Sequence, residues 1–231
     1  MRWLARRSFL TQVGTGMTTL IGAAALGGAR TLQAQSGGGG SWQPSRHTQD
    51  DWLDKIPGKH RFVFDTTMPD AFGGSLLYSN NFFVANQDAY GLGNPDLAVV
   101  IVARHFATPF AYNDAIWAKY GSAFAKLLNV NDPQTKAPPK INIYNSSAAV
   151  ASLPSLGTTL DTVLKRGVQF AVCQMATRFI AGQLAQGGAG TADALYNELA
   201  ANLIANSRLV PAGIVAVNRA QEHGYTFAYV G

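Results

Sequence analysis

Cys173 is the one thiol in the chain, and it stands where the apolar run 168–173 gives way to the amphipathic pattern of 174–184. A cysteine at the first turn of a helix sits in a field that favours the thiolate, which would make it a nucleophile. If its side chain turns into the core instead, it is a small buried hydrophobe. The second reactive group is Arg104-His105, directly after the aliphatic run 96–104. His105 could act as a base toward Cys173, position a substrate, or hold a backbone carbonyl. Arg104 offers a guanidinium to an anion such as thiosulfate, or is a solvated strand end. Asn113 reads as a helix cap first and a substrate contact second. The expected site is therefore Cys173 and His105 for chemistry, with Arg104 and Asn113 for binding.

These residues need a frame that brings strand ends together. The run DLAVVIVAR at 96–104 is nearly all aliphatic, as in a strand covered on both faces. Further strands are expected at 60–65, 168–173, 208–211 and 225–230, with a short one at 141–144. Helices are expected at 75–88, at 113–128 with a break near Gly121, around Leu156, Leu160, Val163 and Leu164, from Met175 to Leu184, around Leu195 to Leu203, and at 212–222. Strands alternating with helices point to an α/β class: a flavodoxin-like, doubly wound, mostly parallel sheet of about five strands in three layers. Ligands bind such sheets at the carboxyl ends of the strands, where Cys173 and Arg104-His105 lie.

Other chemistry has little support. The histidines His47, His60, His105 and His223 are scattered, and no CxxC, HExxH or GxSxG occurs. No metal or cofactor is expected. The segment 66–75 has hydroxyls and glycines near a helix start that could cradle a phosphate, as in flavin binding, but no sharper motif.

Residues 1–34 pair Arg6-Arg7 with Ser8-Phe9-Leu10 ahead of an uncharged, glycine-diluted apolar stretch. That order resembles a twin-arginine (Tat) signal peptide, with cleavage near Ala34, and implies export of a folded protein to the periplasm. Four of the 18 Lys and Arg residues lie in this leader, so 14 face 13 Asp and Glu in the remainder. The basic excess belongs to the leader and gives no reason to expect a nucleic-acid partner. Residues 35–58 include Ser36-Gly37-Gly38-Gly39-Gly40-Ser41 and read as a flexible linker. The folded domain is expected to begin near Trp52 or Lys59, with residue 59 as the working boundary, and to run to Gly231. Its low charge content hints at subunit contacts.

Gly167-Val168 followed by Cys173 resembles the DsrE/DsrF-like sulfur-relay family. Val210-Pro211-Ala212-Gly213-Ile214, Arg219-Ala220-Gln221-Glu222 and Gly224-Tyr225 are similar to the closing helix and strand of its YchN-like branch. The resemblance implies a flavodoxin-like three-layer fold, homotrimers or hexamers, and a persulfide carried on Cys173, with a small sulfane-sulfur compound or a protein as donor and acceptor. The chain departs from the family in its export leader and its long 106–140 region. The expected function is an exported sulfur carrier. A non-enzymatic oligomeric binding protein with a structural cysteine is the rival.

Overall fold

The computed structural model describes residues 43–145, 148 and 150–231. The expected signal peptide, residues 1–34, and the first part of the expected linker lie outside the described residues. In chain order the elements are α1 (Trp52–Lys55), β1 (His60–Thr66), α2 (Pro69–Tyr90), β2 (Leu97–Ala103), α3 (Asp114–Leu128), α4 (Leu160–Lys165), β3 (Gln169–Cys173), α5 (Gln174–Gln186), α6 (Ala192–Ala201), β4 (Ser207–Val210), α7 (Gly213–Glu222) and β5 (Thr226–Val230). A 3₁₀ segment, His105–Ala111, follows β2.

All five strands are parallel, in the order β4-β3-β2-β1-β5. The three-layer, doubly wound architecture follows from crossover handedness. Stepping from β1 to β2 to β3 to β4 always moves the same way along the sheet, so right-handed crossovers place the intervening helices on one face. The return from β4 to β5 runs the opposite way and places α7 on the other face, across all five strands. The two cores follow this division. Phe64, Val99, Ile101, Phe170 and Val172 pack under the first group of helices. Val63, Ala98, Val100, Val102 and Ala171 pack under α1 and α7, against Trp52, Ala216, Val217 and Tyr225.

The strands fall close to their expected limits because each carries its own burial pattern; β2 is buried at every residue. Other segments differ from the sequence reading. The helix expected from residue 75 starts at Pro69, whose fixed φ and missing N–H suit a first helical position. Gly73 and Gly74 thus lie inside α2 and not in a phosphate-cradling loop, and a side chain at Gly73 would strike the Tyr144 ring. Gly121 does not break α3. It admits the carbonyl of Pro139, which a β-carbon there would overlap. Residues 141–144 form no strand, because side chains take up their polar groups: Asp114 Oδ1 accepts from the Asn142 N–H at 2.9 Å, and Asn142 Oδ1 from the Tyr144 N–H at 3.1 Å.

The folded unit also begins earlier than residue 59, at Pro44. Trp52, Leu53 and Ile56 are buried, at 7%, 1% and 7% exposure. Each such side chain contributes about 1.5–3 kcal/mol, an ordering force that a Gly/Ser-rich spacer lacks. The segment is pinned further by the Tyr225 hydroxyl donating to the Leu53 carbonyl at 2.8 Å and by the Arg208 guanidinium 4.5 Å above the Trp52 ring.

Candidate functional site

Successive residues of a strand alternate between faces, and this decides what reaches the site. Val63, Val102 and Ala171 point into the α7-side core. Two residues further along each strand, on the same face at the carboxyl edge, come Asp65, Arg104 and Cys173. The register brings them close: Ala103 is opposite Val172, which puts Arg104 level with Cys173, while Asp65 is opposite Val102 and Tyr229, one same-face step below Arg104. Asp65 is 2% exposed and accepts two hydrogen bonds from Arg104, from Nε at 2.7 Å and Nη2 at 2.8 Å. The hydrogen bonds to Asp65 raise the Arg104 pKa above its ordinary value, and the fields of Tyr229 and Cys173 act in the same sense. One edge of the guanidinium is thus occupied, and Nη1 has no hydrogen-bond partner among the described residues.

Cys173 ends β3 and is the N-cap of α5. Its Sγ accepts from the Ala176 N–H at 3.4 Å, the position a serine oxygen takes in an ordinary cap. The thiol therefore meets the N-terminal turn of a 13-residue helix. It is 6% exposed.

Above this row a crevice of about 440 Å³ opens between α5 and α7, lined by Arg104, His105 and Phe106 from the end of β2, by Cys173, Met175, Ala176 and Phe179, and by Ala212, Gly213 and Ile214. Its position follows from the winding. Chains leaving β3 and β4 turn to opposite faces of the sheet, and the gap between such diverging connections is where open α/β sheets hold ligands. The N-cap of α7 is Ala212, which has no side-chain acceptor, so the first N–H groups of that helix are not capped from within. Gly213 is required by the close passage of Arg104: a β-carbon there would sit 2.6 Å from Arg104 Cβ and 3.1 Å from Val102 Cγ1.

Of the residues expected at the site, Cys173, Arg104 and His105 come together in this crevice. Asn113 does not join them. Its Oδ1 accepts from the Ile116 N–H at 3.3 Å as the cap of α3, its Nδ2 donates to Asn202, and it lines a separate hollow with Asp114 and Asn142. His105 is exposed and takes a left-handed φ of 51°, a conformation that costs a non-glycine residue about 1 kcal/mol or more. The backbone around it is held by the Ala107 N–H donating to the carbonyls of Arg104 and Thr67. No hydrogen bond joins His105 to Cys173 among the described residues.

Sequence reasoning missed Asp65, Gly213 and the apolar wall of Phe106, Met175, Phe179 and Ile214. Asp65 did carry a signal: a carboxylate directly after the apolar Phe62-Val63-Phe64 of β1, in phase with the inward-facing Val63. Among the described residues no group of three His, Cys, Asp or Glu side chains could hold a metal ion, and no helix is long and apolar enough to cross a membrane.

No protein-family model matches the chain, and no curated protein or solved structure matches it either.

Proposed function

We propose that this protein is an exported sulfur carrier of the DsrE-like type that forms a persulfide on Cys173. The observation that carries the reading is the placement of Cys173: the thiol caps α5 in a crevice of about 440 Å³ that Arg104 also lines. The thiolate attacks the outer sulfur of a donor X–S⁻. An S–S bond forms at Sγ as the X–S bond breaks, and the electron pair of that bond leaves with X. The transferred atom remains sulfane sulfur, so no outside oxidant or reductant is consumed. On this reading Arg104 Nη1 and the first N–H groups of α7, which line the crevice, stabilise the departing anion. His105, held at the mouth, is the candidate proton carrier for the persulfide.

The test is the intact mass of the protein before and after incubation with a sulfane-sulfur donor, beside a Cys173→Ala control. A gain of one sulfur atom, reversed by reductant and absent from the control, is expected. Absence of the gain would sink the proposal.

A second reading, an oligomeric binding protein with a structural cysteine, is favoured by the 6% exposure of Cys173. Thiol labelling separates the two. Reaction in the native state supports the carrier, and labelling only after denaturation supports the binding protein. Assembly of several copies belongs to both readings. It is supported by the edge strand β5, where Phe227 and Tyr229 are 42% and 56% exposed, and the subunit number is measurable by light scattering.

A further inference from the structure

We infer that the donor served by this crevice is an organic anion with an apolar body and a single charged sulfane-sulfur end, of the thiosulfonate or organic hydrodisulfide class, and not a hydrated inorganic sulfur anion. This rests on the sulfur-carrier reading and narrows its substrate.

The cationic resources of the crevice are small. Arg104 is the one Lys or Arg in its lining among the described residues, and half of its hydrogen-bonding fork is committed to Asp65, whose charge offsets it. Thiosulfate carries two charges and a tight hydration shell. Entering would strip that shell against one guanidinium edge and the first turn of α7, and burying charge without matching partners is costly. A thiosulfonate has one charge to place, which that edge and that helix end can meet.

The walls supply the other half of the argument. Met175, Phe179 and Ile214 are 67%, 52% and 59% exposed, and all three stand around the same opening as Cys173. Met175 and Phe179 lie four residues apart on one side of α5, and Ile214 faces them from the first turn of α7. Phe106 closes the side toward β2. An apolar body seated on these side chains leaves its charged sulfur directed at Cys173 and Arg104. The volume lies within the roughly 300–1,000 Å³ range of small-molecule pockets, ample for an aromatic ring bearing a thiosulfonate group. With benzenethiosulfonate the balanced step joins the outer sulfur to Cys173 and releases benzenesulfinate, which takes the electron pair of the broken bond.

Rates of one-sulfur mass gain are compared for benzenethiosulfonate, methanethiosulfonate and thiosulfate, each divided by the rate at which that donor transfers sulfur to free cysteine. Burying one phenyl group predicts a normalised rate roughly tenfold to a hundredfold higher for the aryl donor than for the other two. Phe179→Ser and Ile214→Ser, at positions exposed enough to leave the core intact, are expected to bring that ratio down toward one. Equal normalised rates for all three donors would overturn the inference and leave the carrier reading standing. If no donor loads Cys173, the carrier reading itself falls, and this inference with it.

Discussion

Replacing Arg104 by Met should destabilise the fold far more than replacing Asp65 by Asn, although the two residues share the same pair of hydrogen bonds. Asp65 is 2% exposed, and Arg104 is the one hydrogen-bond partner of its carboxylate among the described residues. The methionine would leave a carboxylate buried with nothing to compensate it, a cost of about 3–5 kcal/mol. Asn at 65 keeps the volume and one acceptor, and the Arg104 side chain, at 17% exposure, can turn its lost donor toward water. That substitution should cost about 1–2 kcal/mol. Urea unfolding of the wild type, both single variants and the double variant measures this. With a slope of about 2 kcal/mol per M, the Arg104→Met midpoint should fall by roughly 2 M, and the double variant should be more stable than Arg104→Met alone. A loss under about 1 kcal/mol for Arg104→Met, or equal losses for the two single variants, would refute the account of a buried charge held by one partner.

Two further outcomes are expected. Burial pushes the Tyr225 pKa up to about 12 from about 10 in the unfolded chain, so its contribution is whole below about pH 10 and is lost as pH rises through about 12, at roughly 1.4 kcal/mol per pH unit. Thermal melts across that window should fall less steeply for Tyr225→Phe, and parallel slopes would remove Tyr225 from the cause. Asn113→Ala should cost about 1 kcal/mol through loss of the α3 cap while leaving sulfur loading of Cys173 unaltered; slower loading in protein that is still fully folded would place Asn113 at the site.

What the sequence determined by itself is what short-range pattern can encode. The continuous apolar run of β2 specifies a strand buried on both faces, and the 3.6-residue spacing in α5 and α7 specifies helices, whatever surrounds them. From their order came the parallel three-layer class, and from the strand-to-helix junction came the candidacy of Cys173. Gly121 shows where such pattern stops. A glycine inside a helical stretch reads as a break until the distant Pro139 carbonyl that needs the space is known. Trp52 and Leu53 were legible as apolar, but the core that buries them, with Tyr225 and Arg208 far along the chain, is what orders that segment.

The site itself was decided by tertiary structure. Asp65, Arg104 and Cys173 are far apart in sequence and meet because three parallel strands align in one register with one phase of alternation. A slip of one residue in any strand would send its member to the opposite face. The crevice over them exists because the chain reverses its winding after β4, which carries α7 to the far face and opens a gap beside α5. Neither the phase between strands nor the direction of a crossover is written in local periodicity, since both are fixed by which arrangement buries the two apolar faces of the sheet together.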